Sequence, residues 1–212
     1  LMERSEAEVY QILSEMLLSA ELPAGQRLGE RDMAEVLGVS RERARKVLQR
    51  LGAERLVTLI PNRGAFVATP SLESARRIYD ARRVLEAGLL LTLAQTINAA
   101  QIKELRAHLD QERDAVQRGD RARAVQLSGA FHLKLAVMNN NDLITRYMQE
   151  LVSRTSMLVA FFEAGAPTYG LHEHEEIVEA LGQHDGPRAA QLGTTHLSLI
   201  ETRMKIQSNV PP

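Results

Sequence analysis

Apolar residues near the start of the chain recur at the spacing of a helix. The pattern covers residues 5–21 and repeats every three or four positions, at Val9, Ile12, Leu13, Met16 and Leu17. An apolar stripe with this period predicts an amphipathic helix, and Ser5 stands where a helix N-cap is expected. Pro23 and Gly25 then interrupt the pattern, which predicts a turn over residues 22–28.

Two shorter helices are predicted next, over residues 30–37 and from residue 41 to about residue 52. Gly38 follows the first of them and tolerates the left-handed conformation that ends many helices. Ser40 is the predicted N-cap of the second. Two helices joined by a short turn that contains glycine are typical of a helix-turn-helix.

A hairpin is predicted directly after these helices. The runs 56–60 and 64–68 are rich in β-branched and apolar residues, and they flank a Pro-Asn-Arg-Gly turn. A two-stranded hairpin is only marginally stable alone, so we expect it to pack on the helices. A helix-turn-helix followed by such a hairpin predicts a winged helix-turn-helix.

The rest of the chain is predicted to be helical. The predicted helices begin after Pro70 and cover residues 72–97, 100–118, 121–138, 142–163, 170–183 and 187–206. Six helices joined by short turns predict an antiparallel bundle. We therefore expect a mainly α protein, with a winged helix-turn-helix domain at residues 1–70 and a six-helix bundle at residues 71–212.

The composition agrees with this fold class and restricts the chemistry. Aromatic residues make up only 4% of the chain and Trp is absent, which is typical of a helical protein. The absence of Cys excludes disulfides, thiolate chemistry and Cys-based zinc fingers. The longest apolar run, residues 84–97, contains Glu86 and is shorter than the roughly 20 residues of a membrane span. The start of the chain has no signal-peptide pattern, so we expect a cytoplasmic protein without a membrane partner.

The net charge of the chain is only −1, but basic residues cluster in one segment. Residues 41–63 hold seven Arg or Lys and only two Asp or Glu. On a helix that begins at residue 41, one face is apolar, with Ala44, Val47, Leu48 and Leu51, and the opposite face carries Glu42, Arg45, Lys46 and Gln49. A solvated helix face is the alternative, but it leaves the scarcity of acidic residues unexplained. Long donors near the start of such a helix can pair with base edges in the major groove, so we predict that it reads DNA.

The segment LPAGQRLGERDMAEVLGVSRERARKVLQRL and the hairpin PNRGAFV resemble the GntR family of bacterial transcription regulators, in its FadR branch with an FCD-type effector domain. The resemblance covers nearly the whole chain. It implies DNA contacts at Arg31, Ser40, Arg41, Arg45 and Gly64, to which the exposed helix face adds Lys46 and Gln49 and the hairpin tip adds Arg63. After Ser-Arg the family usually has Thr-Pro-Val-Arg-Glu-Ala-Leu, whereas this chain has ERARKVL, so we expect a different base preference.

The segments FHLKLAVMNNNDL and HEEIVEALGQHDGPRAAQLGTTHL resemble the FCD pattern, which implies metal ligands on three helices, at His132, His174 and His196. Three neutral imidazoles with an open position suit a divalent transition metal such as Zn²⁺ or Ni²⁺. The alternative is that each is an ordinary surface or core histidine, and His172 is a weaker candidate. Ser128 stands where the family usually has Asp. Either the three histidines bind the metal and water or effector fills its remaining coordination positions, or the site has lost its metal.

Arg82 stands where FCD domains often carry an Arg that faces the ligand cavity. A guanidinium there would pair with an effector carboxylate, and the alternative is a salt bridge with Glu86 one turn further along the helix. Asn141 corresponds to the family's Asn after the Phe-His helix, and it either contacts the effector or caps the next helix. We expect Arg82, Ser128 and Asn141 to belong to the site of a small carboxylic acid.

Three functions fit these features. The first is a ligand-responsive transcription regulator that binds a pseudopalindromic DNA operator as a homodimer. The second is a metal-dependent enzyme, because three histidines with an open position also describe a hydrolytic zinc site. The third is a DNA-binding protein whose bundle only dimerises. We predict the first function and not an enzyme, since no general base accompanies the histidines and an enzyme has no need of residues 36–67.

Overall fold

The computed structural model describes residues 4–162 and 170–204 of the chain. The chain divides into two compact units, Leu1–Pro70 and Ser71–Pro212, and each has its own apolar core. Helices account for most of the described residues, which confirms the prediction of a mainly α protein. None of the described helices is both long enough and apolar enough to cross a membrane.

The described part of the N-terminal unit has three helices, α1 (Glu6–Leu18), α2 (Glu30–Leu37) and α3 (Arg41–Ala53). Ser5 caps α1, where it forms a capping box with Glu8. Helix α2 ends at Gly38, whose φ of 65° is in the left-handed region. Ser40 caps α3, since its side chain accepts a hydrogen bond from the backbone N–H of Arg43. The start and end signals seen in the sequence therefore lie at the helix ends.

A three-stranded antiparallel sheet completes this unit, in the order β1-β3-β2, with β1 at Arg27–Leu28, β2 at Val57–Ile60 and β3 at Gly64–Val67. Strands β2 and β3 are the predicted hairpin. Strand β1 corrects the prediction of a plain turn over residues 22–28. Two residues are too few to show the alternation of a strand, and β1 exists because Arg27 and Leu28 pair with Phe66 and Ala65 of β3.

The inner face of α3 lies in the core of this unit, as its apolar stripe predicts. The buried residues are Ala44, Val47, Leu48 and Leu51 on α3 and Val9, Leu13 and Leu17 on α1. Full burial of one such aliphatic side chain stabilises a fold by roughly 1.5–3 kcal/mol. This packing fixes the rotation of α3 about its own axis, and the charged face of the helix is therefore directed to solvent.

The C-terminal unit has six helices in its described part, α4 (Leu72–Thr96), α5 (Ala99–Gln117), α6 (Arg121–Met138), α7 (Asp142–Phe162), α8 (Leu171–Gly182) and α9 (Gly186–Arg203). These bounds lie within three residues of the predicted ones. Predicted helix positions 163, 205 and 206 lie outside the described residues. Three-residue connections join α5 to α6, α6 to α7 and α8 to α9. Connections this short reverse the chain direction between neighbouring helices of a bundle.

The interior of this bundle contains buried polar groups. Eight polar or charged residues are buried in the described chain, namely Arg82, Glu86, His108, Glu112, His132, Thr155, His174 and His196, and all belong to the C-terminal unit. Burial of such groups costs free energy unless each is paired. Each of these eight groups is therefore expected to have a partner in the interior or in a bound molecule.

Candidate functional site

The exposed face of α3 and the hairpin line one groove of about 640 Å³ in the N-terminal unit. Six of the predicted DNA contacts lie in its wall, Arg31, Arg41, Arg45, Gln49, Arg63 and Gly64. Ser40 and Lys46 are not part of that wall. Ser40 caps α3, and the Nζ of Lys46 lies 3.1 Å from Glu42 Oε1 on the exposed helix surface.

Arginine dominates the charge of this groove. Among the described residues in its wall, five are Arg and two, Glu30 and Asp32, are acidic. Arg41 Nε donates a hydrogen bond to Glu30 Oε2 at 3.0 Å. The side chains of Arg45 and Arg63 form no salt bridge within the described part of the chain. The groove therefore offers unpaired guanidinium groups to an anionic partner.

Arg27 is a groove residue that was not predicted from the sequence. It is exposed on β1, beside the buried Leu28, and its side chain lies over Gly64. Two residues show no periodic pattern, so no local feature of the sequence indicated this position. Its position in the groove depends on the pairing of β1 with β3.

Two arginines of the basic segment have internal partners instead. Arg43 Nη1 donates a hydrogen bond to the backbone carbonyl of Arg4 at 2.6 Å. The guanidinium carbon of Arg50 lies 3.6 Å from the centre of the Tyr10 ring, and Arg50 Nε lies 3.5 Å from Glu54 Oε1. Burial and the hydrogen bond from Tyr10 to Glu54 raise the pKa of Tyr10 above its usual value. The charge count alone therefore overstates the number of side chains available to DNA.

The three predicted metal ligands meet inside the C-terminal unit. His132 of α6, His174 of α8 and His196 of α9 are all buried. Their Nε2 atoms form a nearly equilateral triangle. The Nε2 of His174 lies 3.2 Å from the Nε2 of His132 and 3.2 Å from that of His196, and the Nε2 atoms of His132 and His196 are 3.3 Å apart. His172, the weaker candidate, is exposed and lies outside this cluster.

The triangle fits a small divalent ion. Nitrogen ligands at about 2.0–2.1 Å from a tetrahedral metal lie about 3.3–3.4 Å from one another. Burial, together with the nearby Arg82 and His174, lowers the pKa of His132 well below its usual value. Burial also lowers the pKa of His196. Both rings are therefore neutral near pH 7, the form in which imidazole binds metals.

Two buried carboxylates hold the outer nitrogens of the triad. Glu86 Oε1 accepts a hydrogen bond from His132 Nδ1, and Glu112 Oε2 accepts one from His174 Nδ1 at 3.0 Å. Carboxylates that orient metal-binding histidines in this way are a common feature of metal sites. The Nδ1 of His196 has no hydrogen-bond partner among the described residues. Gly170 lies against this ring, at a position where a Cβ atom would be 2.2 Å from Cε1 of His196.

Glu112 and His108 extend this network along α5. His108 Nε2 lies 3.3 Å from Glu112 Oε1 and 2.8 Å from the carbonyl oxygen of Leu127. Burial raises the pKa of Glu112, but His174 and His108 outweigh this effect and lower it to about 2. Glu112 was not among the site residues predicted from the sequence. The feature of the sequence that could have indicated it is its spacing, since a Glu three residues after Leu109 lies on the apolar face of α5.

Arg82 forms the salt bridge with Glu86 that was one of the two alternatives for its sequence position. Its Nε donates a hydrogen bond to Glu86 Oε2 at 3.1 Å, and its Nη1 donates to Thr155 Oγ1 at 2.6 Å. Its Nη2 is buried and has no partner among the described residues. Arg82, Ser128 and His132 line one cavity, so the guanidinium is paired with Glu86 and also borders a cavity.

This cavity is small. Its volume is about 20 Å³, close to the roughly 10–15 Å³ that a single water molecule needs. Ser128 lines it from α6, one turn before His132. Asn141 does not. Its side chain is exposed and accepts hydrogen bonds from the backbone N–H groups of Leu143 and Ile144, so Asn141 caps α7, which is one of the two roles that its sequence position left open.

Comparison with protein families shows two matches that together cover most of the chain. The profile of the bacterial regulatory proteins of the gntR family matches residues 5–67. The profile of the FCD domain matches residues 77–199. The first match contains the groove, and the second contains all three histidines of the triad.

Individual relatives agree with these matches. The HTH-type transcriptional repressor RspR of Escherichia coli (strain K12) is 24% identical over 200 residues, which are 93% of this chain and 88% of that protein. An HTH-type transcriptional regulator from an unstable DNA locus of Streptomyces ambofaciens is 30% identical over 199 residues, 91% of this chain and 82% of that protein. The crystal structure of a GntR transcriptional regulator from Rhodococcus sp. RHA1 has a TM-score of 0.77 and 28% identity, and the match covers 93% of this chain and 95% of that one.

Proposed function

Because this chain belongs to the GntR family of bacterial transcription regulators and carries an FCD domain, we propose that it binds an operator as a homodimer and senses a small carboxylic acid. Its relatives are transcription regulators, and the chain is one as well rather than an enzyme. Action on chromosomal DNA would place it in the cytoplasm.

The observation that carries the DNA-binding proposal is the arginine-lined groove between α3 and the hairpin. Helix α3 presents Arg41, Arg45 and Gln49 on its exposed face, and long side chains on such a helix reach base edges in the major groove. Arg63 and Gly64 at the hairpin would contact the backbone or the minor groove. Ser40 at the start of α3 and the exposed Lys46 would contact phosphates from the edge of the interface.

Selection from random double-stranded DNA at moderate salt tests this proposal. The purified full-length protein should enrich one site made of two inverted half-sites, because a two-fold dimer presents two copies of α3. Enrichment of no sequence would contradict specific DNA binding. Enrichment of a single half-site without its inverted copy would contradict binding as a homodimer.

An exposed apolar stripe on α4 supports the homodimer. Ala81, Val84, Gly88 and Leu91 follow one another at helical spacing, and all four are exposed. Val84 is 79% exposed, and the exposed Leu199 lies on α9, the helix that packs most extensively on α4. Small and apolar residues at this spacing allow two helices to pack closely. We assign the stripe to a second copy of the chain, because two copies of α3 are what an inverted repeat requires.

The histidine triad supports a divalent transition metal, either Zn²⁺ or Ni²⁺, in the C-terminal unit. His132, His174 and His196 would hold it through their Nε2 atoms. A bound ion would supply positive charge and open coordination positions for carboxylate oxygens. Ser128 contributes a neutral hydroxyl where the family usually has Asp, so less of that charge is neutralised by the protein.

The buried charges explain why an anionic effector would depend on the metal. The described buried ionic groups near the triad are the guanidinium of Arg82 and the carboxylates of Glu86 and Glu112, a net charge of −1. A divalent cation would change this to +1, which favours an anion nearby. Arg82 Nη2, buried without a partner in the described chain, is the group that would donate to an effector carboxylate.

The small cavity favours a second candidate, a DNA-binding protein whose bundle only dimerises. A volume of about 20 Å³ admits no organic acid unless side chains move. Elemental analysis of the purified protein, together with melting temperatures in the presence of small organic acids, separates the two candidates. Bound metal and a higher melting temperature with an acid would support sensing. Absence of both would support the second candidate.

A further inference from the structure

Glu86 is buried on α4 and pairs with two donors at once. Its Oε1 accepts from His132 Nδ1, and its Oε2 accepts from Arg82 Nε at 3.1 Å. Both partners are themselves buried. One side chain therefore connects the histidine triad with the guanidinium that borders the cavity.

A carboxylate in this position determines where His132 carries its proton. An ionised carboxylate only accepts hydrogen bonds, so the hydrogen bond to Glu86 requires the proton of a neutral His132 to be on Nδ1. The lone pair of Nε2 then points toward the other two histidines, at distances of 3.2 and 3.3 Å. Only this tautomer of His132 can bind a metal through Nε2.

Arg82 determines how a neutral replacement of Glu86 would behave. Glutamine has one oxygen, which accepts, and one amide nitrogen, which donates. If the oxygen of Gln faced Arg82 Nε, the amide nitrogen would face His132 and require Nδ1 to accept. The proton of His132 would then move to Nε2, where it blocks the metal position. If the oxygen of Gln faced His132, its amide nitrogen would face Arg82 Nε, and two hydrogen-bond donors would then lie against each other.

We propose that the Arg82–Glu86 ion pair is a positioning element that holds His132 in its metal-binding tautomer. The inference deepens the proposed metal site and rests on it. Arg82 acts through Glu86, because its Nε–H requires an acceptor at Oε2 and leaves Oε1 to His132. Neither residue needs to touch the metal for this effect.

Glu112 offers a matched control on the other side of the triad. It is equally buried and accepts from His174 Nδ1 at 3.0 Å. Its second oxygen, Oε1, lies 3.3 Å from His108 Nε2, but that nitrogen already has the carbonyl oxygen of Leu127 at 2.8 Å. Glu112 Oε1 itself accepts no hydrogen bond within the described residues, so Gln at this position can keep its oxygen on His174 without loss of another hydrogen bond, and the tautomer of His174 is preserved.

The test is calorimetric titration of chelator-treated full-length protein with Ni²⁺ and, separately, with Zn²⁺. Glu86→Gln should weaken metal binding by about 10- to 100-fold, the range seen when a group that orients a metal ligand is lost. Glu112→Gln should weaken it by only a few-fold. In the Arg82→Met background, Glu86→Gln should also have only a few-fold effect, because no donor then competes for the Gln oxygen.

This double-variant comparison separates positioning from damage to the fold. The Arg82→Met and Glu86→Gln double variant buries no unpaired charge, and circular dichroism and melting temperature report whether each variant is folded. Equal effects of Glu86→Gln in both backgrounds, or equal effects of Glu86→Gln and Glu112→Gln, would overturn the inference while leaving the metal site in place. If the wild-type protein binds neither metal, the proposed metal site is wrong and this inference is wrong with it.

Discussion

Arg45 and Arg50 lie five residues apart on α3, yet their side chains have different neighbours. Arg50 lies over the ring of Tyr10 and near Glu54, so it links α3 to α1. Arg45 lines the groove and forms no salt bridge within the described residues. At the scale of the residue, the guanidinium of Arg50 therefore stabilises the fold, whereas that of Arg45 is available to DNA.

Replacement of Arg45 by Ala should weaken binding to the selected DNA site by about 1–3 kcal/mol and relax the base preference at one position, because Arg pairs bidentately with guanine. Competition binding against single-base variants of the site, at fixed salt, measures both effects. Arg55→Ala removes an exposed Arg outside the groove wall and serves as the control. Similar losses in the two variants would show that Arg45 does not read a base.

Gly170→Ala should abolish metal binding through steric displacement of His196. A Cβ at this position would lie 2.2 Å from Cε1 and 2.5 Å from Nδ1 of His196, and the φ of +79° also disfavours a side chain. Gly119→Ala is the control, because its φ of +70° imposes a similar backbone strain while no atom lies within 4 Å of the added Cβ. Strain of this kind costs about 1–2 kcal/mol of stability.

Both glycine variants should therefore melt at a lower temperature than the wild type, but only Gly170→Ala should lose saturable Ni²⁺ binding. Thermal unfolding and calorimetric titration provide the two measurements. Normal Ni²⁺ affinity in Gly170→Ala would show that the His196 ring can move without loss of the site.

Strand β1 shows how a short element changes a functional surface. It contains two residues, and its pairing with β3 brings Arg27 beside Gly64 in the groove. Strand β1 also turns the hairpin into a three-stranded sheet, which is more stable than an isolated pair. The basic wall of the groove thus has contributions from α2, α3, the hairpin and β1.

Arg27→Ala should weaken binding to all DNA sequences alike, because a guanidinium beside the hairpin is placed for a phosphate rather than for a base edge. The slope of the logarithm of the binding constant against the logarithm of the salt concentration should become less steep by about 1, which corresponds to the loss of one phosphate contact. Filter-binding or anisotropy titrations at several salt concentrations, with specific and random DNA, supply the slopes. A loss confined to the specific site would instead assign Arg27 to base recognition.

The whole molecule has one unit with a basic groove and one with a buried histidine centre, and a second copy would be needed to read an inverted repeat. The α4 stripe is the exposed apolar surface that we assign to this second copy. Val84→Arg should convert the proposed dimer to a monomer, because a charged side chain would have to be buried between two copies. Sedimentation equilibrium measures the change directly.

Val137→Arg is the control for this substitution, since Val137 is also an exposed apolar residue, 63% exposed, but lies on α6. It should remain dimeric. The Val84→Arg variant should also lose affinity for a full inverted repeat while keeping the weaker affinity for one half-site. A dimer that persists in Val84→Arg would assign the interface to another surface of the chain.

The sequence by itself determined the elements, their order and the identity of several site residues. The three helices and the hairpin of the N-terminal unit and the six described helices of the bundle follow from the period of apolar positions and from cap residues such as Ser40 and Gly38. These are local properties, because helix periodicity and capping involve residues only a few positions apart. The three histidines were predicted as metal ligands from the resemblance to the FCD pattern, which gives their positions in the sequence but none of their contacts.

Only the tertiary structure decided which groups are partners. Contacts between residues far apart in the chain produce strand β1, the place of Arg27 in the groove, the carboxylates of Glu86 and Glu112 on the histidines, and the small cavity beside Arg82. The sequence left two roles open for Asn141, and its hydrogen bonds to the backbone of Leu143 and Ile144 make it a helix cap. The physical reason is that a buried ionic or polar group takes whichever partner packing brings near it, and packing is set by the whole core rather than by the local sequence.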